Sequence, residues 1–168
     1  ESSVGAPRLR DAFVISGGVG GLGLRSAELV LARGASRVVL SSRSGRVARG
    51  GQGLEARLAS LLRLPSATSL ACDVVDGVEA SALMQSTDGV RLRGVVHAAG
   101  VVRDMLVRSM TMSDVSFVFA PKAVGAAWVH RCLAAQALDA AMLLSSTAST
   151  YGNVGQTSYS AANAYLDS

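Results

Sequence analysis

The chain has 168 residues, of which 49% are hydrophobic and 4% aromatic, and it contains 18 glycines. This length suffices for one domain with a real core, and the composition favours an α/β fold over an aromatic-rich β-sandwich. The net charge of +4 comes from basic residues that are scattered along the chain without interleaved aromatics, which argues against nucleic-acid binding. No apolar run reaches the roughly 18–20 residues of a membrane span, and no signal segment opens the sequence.

The chain has two cysteines, Cys72 and Cys132. The alternatives are a disulfide and two free thiols, and we favour free thiols because the sequence shows no secretion signal. We therefore expect a cytoplasmic protein. The sequence offers no Cys/His cluster for a metal, and we expect no metal site.

The first predicted strand covers residues 12–16 and leads into a glycine-rich turn, which a helix over residues 24–33 follows. Glycines at such a turn let the backbone approach a pyrophosphate, whose charge is favoured by the N-terminal amides of the helix. A tight turn without a ligand is the alternative. The residues that we expect to contact a dinucleotide here are Gly17, Gly18, Gly20, Gly21, Leu22 and Gly23.

A second strand is predicted over residues 37–41, and Ser42 and Arg43 follow it. NAD-specific folds carry an acidic residue at this place for the ribose 2′-hydroxyl. This sequence has no acid there, and the guanidinium of Arg43 suits a 2′-phosphate instead. The pattern predicts NADPH as the cofactor; the alternative is that Arg43 is a solvated loop residue like Arg46 and Arg49.

Further along, the sequence predicts helices over residues 54–64 and 78–85, with a third strand over 68–72 between them. A fourth strand over residues 94–97 ends in small residues, which would let the nicotinamide ribose of a cofactor lie close. These small residues are Ala98, Ala99 and Gly100. We expect His97, at the end of this strand, to be structural.

A long helix over residues 112–138 is predicted next, either continuous or broken at Pro121 and Gly125, with Trp128 and Val129 packed against the sheet. The apolar run 140–144 is typical of a fully buried fifth strand. Five strands alternating with helices predict an α/β fold, a doubly wound parallel sheet of Rossmann type. Such folds bind ligands where the strand order reverses.

Ser145 and Ser146 stand at the end of the fifth strand, and a glycine-containing loop follows them. Residues 156–166 lack Gly and Pro and are rich in Ala, which favours a helix. Tyr159 and Asn163 are four residues apart and share a face of that helix. A serine at the strand end and a tyrosine on the first turns of the next helix can both reach one carbonyl oxygen.

These motifs resemble the short-chain dehydrogenase/reductase superfamily and, more narrowly, the ketoreductase domains of modular polyketide synthases and animal-type fatty acid synthases. Ser146 precedes Tyr159 by thirteen positions, as the serine does in those domains. Asn163 stands where most of the superfamily has lysine, and Lys122, the only lysine in the chain, lies in a segment that matches the family's P-K-x-x-G-A. The glycine turn and the run His97-Ala98-Ala99-Gly100-Val101 match as well.

The resemblance implies that NADPH reduces a β-ketoacyl thioester, which an acyl carrier protein presents, to the β-hydroxyacyl thioester. Tyr159 would donate a proton to the carbonyl oxygen and Ser146 a hydrogen bond. Lys122 would favour the phenolate form of the tyrosine, since a nearby cation stabilises an anion. Asn163 would orient Lys122 or a relay water.

The family also has a C-D-V segment that holds the adenine edge, and Cys72-Asp73-Val74 matches it. The resemblance therefore assigns Asp73 and Val74 to the cofactor, while a helix N-cap is the alternative for Asp73. Neighbouring synthase domains would be the further partners. The rival functions are a noncatalytic nucleotide-binding or scaffolding domain of a multidomain synthase and a stand-alone short-chain reductase.

Compared with this pattern, the family's domain has two additional strands and a segment that covers the substrate. We therefore expect residues 1–168 to be a C-terminally truncated NADP-binding ketoreductase domain, with an exposed fifth strand and little activity alone. One product class of the family carries Leu-x-Asp after the H-A-A-G-V run, and another carries Trp eight residues before the Tyr. Asp104 keeps the acid of the first pattern and Tyr151 replaces the Trp of the second, which favours a D-(3R)-hydroxyacyl product.

Overall fold

A computed structural model describes residues 11–48, 52–134 and 136–168. The strands are β1 (Ala12–Ser16), β2 (Arg37–Ser42), β3 (Ala67–Ala71), β4 (Leu92–His97) and β5 (Ala140–Leu143). All neighbouring strands of the sheet pair in parallel, in the order β3-β2-β1-β4-β5. The arrangement confirms the predicted doubly wound parallel sheet, and its strand order reverses between β1 and β4.

Helices connect the strands, and in the described part of the chain none of them is long and apolar enough to cross a membrane. A 3₁₀ turn, Val107–Ser109, precedes the fourth helix. The helices are α1 (Gly21–Ala32), α2 (Leu54–Leu62), α3 (Gly77–Gln85), α4 (Met112–Phe119), α5 (Gly125–Leu133), α6 (Ala148–Tyr151) and α7 (Thr157–Asp167).

The core lies on both faces of the sheet, because successive side chains of a strand point to opposite faces. Every residue of β1 is buried. Ile15 belongs to the cluster on one face, together with Leu24 of α1. Val14 belongs to the cluster on the other face, together with Leu83 of α3 and Val129 of α5. Burial on both faces is the usual condition of a parallel sheet.

Of the two alternatives for residues 112–138, the broken helix is confirmed: two helices are joined by a π-helical segment, Ala120–Val124, and the second helix ends at Leu133. A capping box between Thr111 and Asp114 fixes the start of the first helix. Pro121 has no backbone N–H and so cannot donate an α-helical hydrogen bond to the carbonyl four residues earlier. The interruption at Pro121 that the sequence suggested is therefore a change of helix type.

Trp128 does not pack against the sheet as predicted. Its indole ring lies against Gly77 at the start of α3, where an added Cβ would come within 2.9 Å of the ring. Val129, the next residue, is buried among core residues as expected.

The apolar run alone predicted a fully buried fifth strand, which is wrong, whereas the exposed fifth strand that the family resemblance implied is confirmed. β5 lies at the edge of the sheet and all four of its residues are exposed, with Met142 at 53% and Leu143 at 44%. Leu144, just beyond the strand, packs partly against the core. The loop expected after the strand contains the one-turn helix α6, which periodicity could not indicate because it has only four residues.

Candidate active site

The glycine turn between β1 and α1 is packed so closely that three positions, Gly17, Gly18 and Gly23, leave no room for a Cβ. Gly17 has φ +68°, and a Cβ there would lie 2.5 Å from the backbone nitrogen of Ala99. A Cβ on Gly23 would lie 2.5 Å from Cα of Gly18. By contrast, a Cβ on Gly21 would meet nothing within 4 Å. Gly21 therefore leaves open space at the N-terminus of α1, where a helix has unpaired N–H groups that bind anions.

A cavity of about 670 Å³ lies beside this turn, along the carboxyl ends of the strands. Gly18 and Gly23, which we predicted as cofactor contacts, do not line it; both are buried against neighbouring backbone beneath the turn. Leu22 also lies outside the lining and is 65% exposed. The other ten predicted cofactor residues line it: Gly17, Gly20, Gly21, Ser42, Arg43, Asp73, Val74, Ala98, Ala99 and Gly100. The open glycine cradle and this lining fit a dinucleotide.

One side of the cavity is basic. Arg43 and Arg46, from the loop after β2, both line it, while Arg49 lies outside the described residues. Phe117 of α4 also lines it, with its ring centroid 5.8 Å from the guanidinium carbon of Arg43 and 4.3 Å from that of Arg103. Sequence reasoning missed Phe117, because nothing local to α4 shows that this residue faces a loop from another strand.

Asp73 is not a helix cap. Asp76 caps α3 instead, and its carboxylate accepts hydrogen bonds from the backbone N–H groups of Val78, at 2.8 Å, and Glu79, at 3.0 Å. The Asp73 carboxylate accepts a bond from the backbone N–H of Val75, at 3.1 Å, and the residue lines the cavity. The structure thus removes the alternative that competed with a cofactor role.

Lys122 connects the cavity to the predicted catalytic tyrosine. The residue is only 4% exposed, and its Nζ donates to the carbonyl oxygen of Leu144 at 2.5 Å. The same nitrogen lies 5.7 Å from the centroid of the Tyr159 ring. On the cavity side, a Cβ on Gly100 would lie 2.8 Å from Cε of Lys122. Burial lowers the pKa of Lys122 below its usual value, and the charge of Asp167 opposes that shift.

Asn163 is fully buried in α7 and donates through Nδ2 to the carbonyl oxygen of Tyr159, at 2.8 Å. Its Oδ1 is buried and has no hydrogen-bond partner among the residues that the structure describes. The Lys122 ammonium donates to the Leu144 carbonyl rather than to this amide oxygen. The free Oδ1 is suited to a buried water, which bonds polar groups that lack a protein partner.

Ser146 follows β5 and is fixed by α6. Its Oγ accepts a hydrogen bond from the backbone N–H of Ala148, at 3.2 Å, and its carbonyl accepts from the hydroxyl of Ser149, at 2.7 Å. Because Oγ acts as an acceptor there, its own proton can be donated to a ligand. The structure thus brings Lys122, Tyr159 and Asn163 together around α7, with Ser146 at the adjoining strand end.

His97 is fully buried at the end of β4. Its Nδ1 lies 2.7 Å from the Ser16 hydroxyl and its Nε2 lies 2.9 Å from the Pro121 carbonyl oxygen. Burial lowers the pKa of His97 to about 4, so the ring is neutral near pH 7. The histidine is held within the protein, as expected of a structural residue.

The sequence profile of the family described as KR domain matches residues 12–168. The chain is 40% identical, over 159 aligned residues, to the mycocerosic acid synthase-like polyketide synthase of Mycobacterium tuberculosis; this covers 92% of the chain and 7% of that protein. It is 42% identical, over 157 residues, to polyketide synthase GfsA of Streptomyces halstedii, covering 92% of the chain and 2% of that protein.

Among solved structures, the chain resembles one described as "Structure of A-type Ketoreductases from Modular Polyketide Synthase". The TM-score is 0.83 at 35% sequence identity, and the match covers 99% of this chain and 35% of that one. The chain therefore spans about a third of that solved structure and less than a tenth of the two synthases.

Proposed function

Because this chain belongs to the KR domain family, we propose that it carries the cofactor site and the catalytic groups of a ketoreductase. In the proposed reaction, NADPH reduces a β-ketoacyl thioester on an acyl carrier protein to the β-hydroxyacyl thioester during polyketide or fatty acid synthesis. The observation that carries the proposal is the position of Lys122, which packs against Gly100 of the cavity and lies beside the ring of Tyr159.

NADPH, when bound, supplies the hydride. The open N-terminus of α1 at Gly21 would hold the pyrophosphate. The fork of N–H donors on Arg43 would bind the 2′-phosphate, since a guanidinium pairs with phosphate through two parallel bonds. Ala98 and Ala99, without bulky side chains, would let the nicotinamide ribose lie against the end of β4.

The protein's own groups handle the proton. Tyr159 would donate its hydroxyl proton to the carbonyl oxygen as negative charge develops there, and Ser146 would donate a hydrogen bond to the same oxygen. The ammonium of Lys122 would stabilise the phenolate that Tyr159 becomes. Asn163 would hold a water through its unpaired Oδ1, from which the tyrosine could regain a proton.

An acyl carrier protein and neighbouring synthase domains are the partners we propose, because the relatives at 40% and 42% identity are polyketide synthases. A cytoplasmic location is part of the proposal. The free thiols of Cys72 and Cys132 suit the reducing conditions of that compartment.

We propose a D-(3R) product, in line with the retained Asp104. The carboxylate of Asp104 accepts a hydrogen bond from the side-chain amide of Gln156, at 3.1 Å, and so ties the loop after β4 to the start of α7. Chiral chromatography of the hydroxyacyl product decides between the two hands, and an L-(3S) product would refute this part of the proposal.

The experiment is a cofactor comparison in the whole protein that contains this chain. NADPH oxidation is followed by its absorbance with the β-ketobutyryl thioester of N-acetylcysteamine, beside the same assay with NADH. Arg43→Ala should weaken NADPH binding about ten- to a hundred-fold, the worth of a charge-assisted hydrogen bond, and leave NADH binding nearly unchanged. Arg25→Ala, on the exposed side of α1, is the matched control. Equal losses for both cofactors would show that Arg43 does not bind the 2′-phosphate.

A further inference from the structure

The two hydrogen bonds of His97 define its tautomer. The carbonyl oxygen of Pro121 can only accept, so Nε2, which lies 2.9 Å away, carries the proton. Nδ1 is then an acceptor, and the hydroxyl of Ser16 donates to it at 2.7 Å. One neutral imidazole thus joins the end of β1 to the π-helical segment.

The π-helical segment explains why the Pro121 carbonyl is open to the imidazole. In an α-helix the backbone N–H of Gly125 would donate to the carbonyl four residues earlier, which is that of Pro121. Here it donates to the carbonyls of Ala120 and Lys122 instead. A Cβ on Gly125 would lie 3.2 Å from Cε1 of His97, so the helix backbone sits directly on the ring. Such π segments are rare and are frequently found at functional sites.

We infer that His97 is a positioning residue for Lys122: its Nε2–H bond to Pro121 holds the π-helical segment where the Lys122 ammonium reaches both Leu144 and Tyr159. Pro121 directly precedes Lys122, so a shift of the Pro121 carbonyl moves the lysine with it. The bond to Ser16 ties the same ring to the residue before Gly17, at the glycine turn. The effect of His97 on catalysis rests on the proposed function, whereas its effect on the position of Lys122 does not.

Two conservative variants separate this role from simple core packing. In His97→Gln the side-chain amide N–H reaches the position of Nε2 and can still donate to Pro121. In His97→Asn the amide reaches only the position of Nδ1, so it can accept from Ser16 but loses Pro121. Ser16→Ala is the complementary change, because it removes only the bond to Nδ1.

The first measurement is the rate of hydride transfer in a single turnover, with NADPH and a β-ketobutyryl thioester, in the whole protein. His97→Asn should be slower by about ten- to a hundred-fold, the range expected when a reacting group is displaced by about 1 Å. His97→Gln and Ser16→Ala should keep most of the wild-type rate. NADPH affinity, measured by fluorescence titration, should be similar in all four proteins.

The second measurement does not need activity: the rate of reductive methylation of Lys122, read by mass spectrometry of its peptide. The lysine should be labelled faster in His97→Asn than in His97→Gln or the wild type. Equal labelling of the Asn and Gln variants would overturn the inference, whatever their turnover. The predicted order of labelling in a protein that transfers no hydride would sustain the inference and refute the proposed function.

Discussion

The Nζ atom of Lys122 lies 5.7 Å from the centroid of the Tyr159 ring and 2.5 Å from the carbonyl oxygen of Leu144. The lysine comes from the π-helical segment, the tyrosine from α7 and the carbonyl from Leu144, just beyond the end of β5. The lysine stem also packs against Gly100 at the cavity. One buried cation therefore joins the predicted cofactor site to the predicted proton donor.

Lys122→Ala should lower the turnover number strongly and should leave a pH-dependent remainder. The cation stabilises the phenolate that Tyr159 becomes. Its removal should therefore lower the turnover number most at low pH, where the solution itself does not favour the phenolate. We expect the ratio of wild-type to variant turnover to shrink as the pH rises. Steady-state rates between about pH 6 and pH 10, the latter near the ordinary pKa of a tyrosine, check this. A ratio that is constant with pH would contradict the assigned role.

Gly100→Ala should act through Lys122. The added methyl group would stand 2.8 Å from Cε of the lysine, so the side chain has to move. We expect a lower turnover number with a smaller change in NADPH affinity. A double-mutant cycle with Lys122→Ala is the test: once the lysine is removed, Gly100→Ala should cost little more, because coupled residues are non-additive. Additive losses would show that the methyl group acts on the cofactor and not on the lysine.

The protein should lose stability in mild acid because of His97. Its pKa falls from 6.5 to about 4 on folding, mainly through burial. Below pH 6.5 His97 is protonated in the unfolded chain, whereas in the folded chain it stays neutral down to about pH 4. The free energy of unfolding therefore falls as the pH is lowered across this window. The total is on the order of 3 kcal/mol, since each pKa unit corresponds to about 1.4 kcal/mol.

Urea unfolding at several pH values between about 7 and about 4, the window set by the His97 pKa, measures this loss. His97→Gln should flatten the pH dependence in that window, whatever it does to stability at neutral pH. Asp114 does not affect this window. Hydrogen bonds from Thr111 and Arg103 lower its pKa to about 2, so its protonation destabilises the fold only below its ordinary pKa of 3.8. The same pH slope in the wild type and His97→Gln would refute the assignment.

Local sequence chemistry predicted the strands well where burial and turn chemistry agree. The apolar run 12–16 is the observed β1, and the glycines at 17 and 23 stand where neighbouring backbone leaves no room for a side chain. The apolar run 140–144 misled for β5, because such a run does not distinguish a central strand from an edge strand, and only the family resemblance predicted the exposed edge. That distinction depends on what lies beside the strand.

In the candidate site, too, some residues could be predicted from the sequence and others could not. Arg43 was predicted from its place after a strand and Asp73 from its match to the family's C-D-V segment, and both line the cavity. Phe117 and the π-helical segment were not predictable, since each depends on a contact with another element: Phe117 with Arg43, and the Pro121 carbonyl with His97. A shift of one residue in helix bonding leaves no mark in hydrophobic periodicity. The roles of Tyr159, Ser146, Lys122 and Asn163 stay predictions.

Tyr159→Phe tests the central claim most directly, because it removes one hydroxyl group and leaves the ring beside Lys122. The measurement is NADPH-dependent reduction of a β-ketobutyryl thioester by the whole protein, with NADPH affinity determined on the same samples. We predict that turnover falls by about 10²–10⁴-fold, the usual contribution of a general acid, while NADPH binds as tightly as to the wild type. Near-wild-type turnover in the phenylalanine variant would contradict the account.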